Sequence, residues 1–117
     1  MIALVRHGAY SLRNGSLTDE GRLQAKHAAE ELEKYSGWIS VVSSPAKRTH
    51  EAAEIIADIL RIPLNLDDLW GETRSPEYCR ESIKDKTIYV THQPILKFLA
   101  PEWDAPIGGV SIVEASH

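Results

Sequence analysis

Arginine and histidine side chains stand where apolar runs of this sequence end. Arg6 and His7 follow the run IALV, and His92 follows the run TIYVT. Arg48 comes four residues after Ser44, which closes the run ISVVSS. Arginine offers a planar fork of N–H donors that suits phosphate oxygens, and histidine changes its protonation state near neutral pH. These residue types predict a site that binds an anion and does chemistry on it.

Phosphoryl chemistry is what such a set of groups favours. Two guanidinium groups and the amino end of a helix make a local positive field for a phosphate. A neutral imidazole beside them attacks phosphorus and forms a phosphohistidine, which water then hydrolyses. A neighbouring cation lowers the pKa of a histidine and so favours the neutral nucleophile. A second histidine donates to the equatorial oxygens as negative charge develops in the transition state.

The elements that must position these side chains alternate between strand and helix. The apolar runs and turn residues predict strands at 2–6, 38–44, 62–66, 86–92 and 108–115, helices at 17–35, 45–60 and 93–100, and a helical turn around 75–83. This alternation predicts one α/β domain over residues 1–117, a three-layer α/β/α sandwich whose mainly parallel sheet carries helices on both faces. Ligands bind such a sheet beyond the carboxyl ends of its strands, where the arginines and histidines fall.

Local signals fix the expected helix ends. Thr18 is predicted to cap the first long helix, and its apolar stripe is predicted to contain Leu23, Ala25, Ala28, Ala29 and Leu32. Ser44 and Pro45 are predicted to be the N-cap and the first residue of the second long helix. The mid-helix residues His27 and His50 are expected to be solvated.

The bulk composition limits the classes of function. The chain has 117 residues, of which 43% are hydrophobic and 26% charged, and a formal net charge of −4. The acidic balance argues against nucleic acid or an anionic membrane as a partner. One cysteine, Cys79, permits no internal disulfide and fits a cytoplasmic protein. No apolar run approaches the roughly 20 residues of a membrane span.

Four blocks of the sequence resemble the histidine phosphatase superfamily, which includes phosphoglycerate mutases and SixA-type phosphohistidine phosphatases. The blocks are RHG (6–8), LTDEGRLQA (17–25), SSPAKRTHEAA (43–53) and VTHQP (90–94), and the closing IGGVSIVE is similar to the last strand of the family. The resemblance implies that His7 is the nucleophile and that Arg6, Arg48 and His92 complete the phosphate pocket. It also implies a contribution from the backbone N–H of Gln93.

Some positions depart from the family pattern. Many members carry a glutamate after the third strand that protonates the leaving oxygen, and the segment LDDLWGET lies in that region. Glu72 is the first candidate for this general acid and Asp68 the second. Asn14 stands one place later than the asparagine that often helps to hold phosphate in the family.

The length of the chain bears on its substrate. Only about 20 residues separate Trp70 from His92, whereas members with elaborate substrates have a long helical insertion there. We therefore expect an open pocket and a phosphatase acting on a phosphorylated small molecule or a phosphohistidine protein. The alternatives are a phosphoglycerate mutase-type phosphotransferase and a non-catalytic phosphate-binding module. No cofactor is indicated, and two arginines beside the histidines argue against a metal site.

Overall fold

Five strands form one sheet in this computed structural model, which describes residues 1–71 and 76–114. The strands are β1 (Ile2–Arg6), β2 (Ser40–Ser43), β3 (Leu64–Leu66), β4 (Thr87–Thr91) and β5 (Val110–Val113). Their order across the sheet is β3-β2-β4-β1-β5. The first four strands run parallel, and β5 pairs antiparallel with β1. The mainly parallel sheet is thus confirmed, with each strand at or inside its predicted limits.

Helices cover both faces of this sheet. They are α1 (Asp19–Leu32), α2 (Lys47–Leu60), α3 (Pro76–Glu81) and α4 (Gln93–Leu99), with a short 3₁₀ turn at Asp68–Trp70. Along β1, Ala3 and Val5 pack in the core with residues of α1 and α2, whereas Ile2 and Leu4 pack in a second core with residues of α3 and α4. This alternation follows from the two-residue period of a strand and confirms the three-layer sandwich. None of the described helices is long and apolar enough to cross a membrane.

Helix α1 begins as predicted but buries a different stripe. The Thr18 hydroxyl accepts a hydrogen bond from the Gly21 backbone N–H at 3.1 Å, which is the expected cap. The buried residues are Gly21, Ala25, Ala28, Ala29 and Leu32. The placement of Leu23 in this stripe was wrong, because its side chain is 52% exposed. Two residues along an α-helix is a rotation of about 200°, so Leu23 faces away from the side that Gly21 and Ala25 bury.

Helix α2 begins later than predicted. Its N-cap is Ala46, and no side chain among the described residues caps it by a hydrogen bond. The prediction of Ser44 as N-cap was therefore wrong, and so was that of Pro45 as the first helical residue. The Ser44 hydroxyl is instead bonded to the side chains of Thr49 and His92. The Ser44 hydroxyl thus bonds side chains that the tertiary fold brings close to it, rather than the N–H groups at the start of α2.

Candidate active site

The carboxyl ends of three neighbouring strands assemble the site. Strand β4 lies between β1 and β2, with Thr91 paired to Arg6 and Val90 paired to Ser43. His7, Ser44 and His92 each come one residue after the end of their strand. Because parallel strands end at the same edge of a sheet, residues far apart in sequence meet there. All three side chains are buried.

The ring of His7 is held so that its Nε2 faces Arg48. Its Nδ1 lies 3.0 Å from the Gly8 carbonyl oxygen, and a carbonyl only accepts, so Nδ1 carries the proton. Nε2 then holds a lone pair and accepts a hydrogen bond from Arg48 Nε at 3.3 Å. Burial lowers the pKa of His7, as do the charges of Arg48 and Arg6, against the opposing hydrogen bond to Gly8. His7 is therefore a neutral imidazole at neutral pH.

Arg48 links the two histidines. Besides the contact of its Nε with His7, its Nη2 lies 3.4 Å from His92 Nδ1. The two imidazole rings stand 5.6 Å apart, centroid to centroid. The ring of Tyr10 lies under the guanidinium of Arg48, 4.7 Å from Cζ, and meets His7 edge-on. Tyr10 thus supports the Arg48 side chain in its position between the histidines.

His92 is bonded through both ring nitrogens. Its Nδ1 faces Arg48, and its Nε2 lies 2.9 Å from the Ser44 hydroxyl. Burial lowers the pKa of His92 to about 4, with further contributions from the charges of Arg48, His7 and Arg6. His92 is therefore also neutral near pH 7, in a pocket that contains two arginines.

Arg6 is anchored by the loop that precedes β5. Its Nη1 donates to the carbonyl oxygen of Ala105 at 3.0 Å, and Ala105 adopts a left-handed backbone with φ of 50°. The Gly108 backbone N–H donates to the His7 carbonyl, so the same loop holds both residues. Arg6 Nε is buried and has no hydrogen-bond partner among the described residues. An unpaired buried donor costs free energy, which an anion in the pocket would recover.

The loop after β1 packs closely on the start of α1. A Cβ at Gly8 would lie 2.6 Å from the carbonyl oxygen of Gly21, and a Cβ at Gly21 would overlap the Ala9 carbonyl. The Ala9 backbone N–H donates to Gln24 Oε1 at 2.7 Å, and the Thr18 backbone N–H donates to the Ala9 carbonyl. The two glycines therefore allow a backbone-to-backbone contact that fixes His7 on the sheet edge.

Among the other predicted residues, two side chains bond other partners and one residue is exposed at the surface. Asn14 is exposed, and its Oδ1 accepts a hydrogen bond from the Ser16 backbone N–H within its own loop. Gln93 is the first residue of α4, and its side chain donates to the Asp104 carbonyl. Asp68 is exposed at the start of the 3₁₀ turn. Glu72 lies outside the described residues.

Three contributors to the site escaped prediction from the sequence. Tyr10 supports Arg48, Ser44 bonds His92, and the Ala105 carbonyl holds Arg6. Ser44 carried a signal, a serine directly before a helix, but that signal has a simpler local interpretation. Tyr10 contributes an aromatic face and Ala105 a backbone carbonyl, and no sequence motif predicts contacts of these kinds.

The fold and the site together define an α/β protein with a histidine-arginine pocket at the carboxyl edge of its sheet. The sequence pattern of the histidine phosphatase superfamily (branch 1) matches residues 2–114, so the chain belongs to that family. No curated protein sequence matches the chain.

Solved structures share this fold at low sequence identity. A protein described as the phosphohistidine phosphatase SixA from Agrobacterium tumefaciens superposes with a TM-score of 0.71 at 18% identity, covering 93% of this chain and 86% of that one. A SixA protein histidine phosphatase in complex with tungstate gives 0.71 at 19% identity, covering 91% of this chain and 80% of that one. A Plasmodium falciparum phosphoglycerate mutase gives 0.65 at 22% identity, but this chain spans only 64% of its length.

Proposed function

We propose that this protein is a phosphatase that works through a covalent phosphohistidine on His7. The observation that carries the proposal is the state of His7, whose Nδ1 is committed to the Gly8 carbonyl and whose Nε2 lone pair faces Arg48. A lone pair beside a guanidinium is positioned to attack an electrophile that the guanidinium binds. Membership in the histidine phosphatase superfamily supports the same assignment.

The reaction proceeds by two transfers at phosphorus. Arg6 and Arg48 hold the phosphate oxygens, and Nε2 of His7 attacks in line with the leaving group. The N–P bond to His7 forms as the bond from phosphorus to the leaving oxygen breaks. In a phosphohistidine substrate the bond that breaks is P–N, and in either case the leaving atom takes up a proton. Water then attacks the phosphohistidine, which releases inorganic phosphate and restores the neutral imidazole. His92 donates to the equatorial oxygens in both transfers.

The proton for the leaving oxygen has two candidate donors, Glu72 first and Asp68 second. An aryl phosphate has a good leaving group and needs little protonation, whereas an alkyl phosphate needs it strongly. If Glu72 is the acid, Glu72→Gln lowers kcat/KM on an alkyl phosphate by on the order of 10²-fold or more and changes aryl phosphate turnover far less. Asp68→Asn tests the second candidate in the same way, and a selective loss of alkyl phosphate turnover in that variant would identify Asp68 as the acid. Equal losses of alkyl and aryl phosphate turnover in Glu72→Gln would contradict its assignment.

The substrate is best sought among exposed phosphoryl groups. Between β3 and β4 the described residues form only the 3₁₀ turn and the six-residue helix α3, which leaves little chain to enclose a substrate. An open pocket suits phosphohistidine on another protein or a range of small phosphomonoesters. It fits a mutase poorly, because a mutase must retain its substrate between two transfers. Asn14 and the backbone N–H of Gln93 are proposed as additional phosphate contacts.

Turnover of two substrates tests the proposal. Wild-type protein should release phosphate from p-nitrophenyl phosphate and from a histidine-phosphorylated peptide. His7→Ala should lose at least about 10³-fold in kcat. His27→Ala, which removes an exposed histidine of α1, should retain wild-type activity. Phosphate binding without release by the wild type would instead favour the non-catalytic module, and undiminished release by His7→Ala would refute the nucleophile.

A further inference from the structure

A chain of buried hydroxyl groups ends on His92. The Ser44 hydroxyl lies 2.9 Å from His92 Nε2 and is also hydrogen-bonded to the Thr49 hydroxyl. Thr49 Oγ1 lies 2.9 Å from the Ala46 carbonyl oxygen and 3.1 Å from that of Ser44. Ser44 and Thr49 are both completely buried. Among the residues that the structure describes, these groups alone share the protons of the hydrogen-bonded network.

Counting the protons gives the direction of each hydrogen bond. Thr49 has one hydroxyl proton, and its oxygen lies within hydrogen-bond distance of two carbonyl oxygens, whose lone pairs would repel it if its proton pointed elsewhere; we therefore assign this proton to the backbone. Thr49 Oγ1 then accepts the hydroxyl proton of Ser44. Ser44 has no proton left for His92, so the bond between them requires a proton on Nε2 of His92. Neutral His92 is thereby left with a lone pair on Nδ1.

The other ring nitrogen supports the same assignment independently. Nη2 of Arg48 lies 3.4 Å from His92 Nδ1, and a guanidinium has donors only. A proton on Nδ1 would point at this donor, whereas a lone pair accepts from it. The neighbours of both ring nitrogens thus favour the same tautomer, with the proton on Nε2.

We propose that Ser44 and Thr49 act as positioning residues that hold neutral His92 with its proton on Nε2, so that the site takes up one proton on Nδ1 when a phosphate dianion binds. This proposal rests on the proposed function, which identifies the ligand as a phosphate group. A lone pair on Nδ1 repels a phosphate oxygen, and a proton from solvent converts it into a donor. The same proton leaves when inorganic phosphate is released, so the cycle balances.

The charges around His92 explain why the proton arrives only with the anion. The described ionisable groups that affect it are Arg48 on α2 and Arg6 and His7 at the end of β1. In the absence of an anion, burial and these groups keep the pKa of His92 at about 4. A dianion among them offsets the two arginine charges and raises that pKa. Anion affinity should therefore fall as pH rises and protons become scarcer.

The ring form can be measured in the free protein. Long-range ¹H–¹⁵N NMR of the histidine rings at mildly alkaline pH distinguishes a proton on Nε2 from one on Nδ1. We expect Nε2–H for wild-type His92, and a predominant Nδ1–H form would overturn the proposal. In Thr49→Val, Ser44 is free to donate to Nε2, so the Nδ1–H form should appear. Ser43→Ala is the matched control, because the Ser43 hydroxyl donates to the Ser44 carbonyl and to no other group of the described residues.

Proton uptake is measured by calorimetry near neutral pH with tungstate, which is a dianion there. The binding heat in two buffers of different ionisation enthalpy gives the number of protons taken up. Wild type and Ser43→Ala should take up about one proton per tungstate, and Thr49→Val clearly less. Binding without proton uptake by the wild type would overturn the proposal. Failure of tungstate to bind would count against the proposed function, while the NMR measurement would still decide the ring form.

Discussion

Nε of Arg48 donates to Nε2 of His7 over 3.3 Å, on the ring nitrogen that carries the lone pair. The same guanidinium reaches His92 through Nη2, a different nitrogen. Arg48 therefore sets the distance between the two imidazoles as well as supplying charge. This double contact requires a planar group with separated donors, which lysine lacks.

Replacing Arg48 by lysine should be nearly as damaging as replacing it by alanine. A single ammonium group keeps the charge but contacts one histidine at most. We expect kcat/KM on p-nitrophenyl phosphate to fall by on the order of 10²- to 10³-fold in both variants. Lys47→Ala, at the neighbouring exposed position, is the control and should change little. Near-wild-type activity of Arg48→Lys would show that charge alone is what the site needs.

The two site histidines should titrate below the ordinary value for histidine. Burial and the nearby arginines lower the pKa of both rings, that of His92 to about 4. An NMR titration of the free protein should show neither ring protonating near 6.5, the ordinary value for histidine. Protonation of either ring at or above that pH would contradict the electrostatic account of the pocket.

The same lowered pKa values make the fold sensitive to acid. Below about pH 6.5 the unfolded chain binds protons on His7 and His92 that the folded protein does not. Their contribution to stability is complete above that pH and declines as pH falls toward the folded pKa values. Urea unfolding should give a smaller pH dependence between pH 6.5 and 5 in His92→Gln than in wild type.

An alanine at Gly21 should destabilise the fold although it favours helix. Alanine is better than glycine inside a helix by about 1 kcal/mol, but its Cβ would overlap the Ala9 carbonyl. Relieving that overlap must shift α1 from the loop that carries His7, at a net cost of about 1–3 kcal/mol. Urea unfolding measures the change, with the exposed α1 variant Lys26→Ala as control. Unchanged or raised stability of Gly21→Ala would refute the close contact.

Glu51 on α2 anchors the loop that leads from His7 to α1. Its carboxylate accepts hydrogen bonds from the Ser16 hydroxyl and, at 2.7 Å, from the Leu17 backbone N–H. Glu51→Ala leaves that N–H without its acceptor and should cost about 1–3 kcal/mol of unfolding free energy. Glu54→Ala, on an exposed turn of the same helix, should cost less than about 0.5 kcal/mol. Equal effects of the two variants would show that the anchor is unimportant.

The contribution of Glu51 should also depend on pH. Burial raises its pKa, but the hydrogen bonds from Ser16 and Leu17 and the nearby Arg22 and Lys47 outweigh that effect and lower it. A lowered carboxyl pKa adds stability above the unfolded value, and this stability is lost as pH falls through the folded value. The stability difference between wild type and Glu51→Ala should therefore shrink below about pH 4.

The sequence predicts the placement of the site better than its internal contacts. Arg6 ends β1, His7 follows it, and His92 follows the neighbouring strand β4. The apolar runs that predict these strands therefore also predict where the three side chains lie. The hydrogen bonds of Ser44 could not be predicted in this way. A serine before a helix indicates an N-cap, but in the folded protein its hydroxyl bonds His92 and Thr49.

Other errors have equally local causes. Leu23 is apolar, yet the rotation of α1 is set by the close contact of Gly21 with Ala9, and this turns Leu23 to solvent. The Ala105 carbonyl that anchors Arg6 belongs to a residue with a left-handed backbone. An alanine in the sequence indicates neither that backbone conformation nor the contact. Backbone groups carry no residue-type signal, so contacts of this kind appear only in three dimensions.

A phosphorylated His7 can be trapped during turnover. Wild-type protein is mixed rapidly with an aryl phosphate, quenched in alkali to preserve phosphohistidine, and mapped by mass spectrometry of its peptides. We expect one phosphoryl group on His7 during turnover and none in His7→Ala. Turnover without a phosphorylated histidine, or a phosphoryl group on His92 in place of His7, would contradict the proposed mechanism.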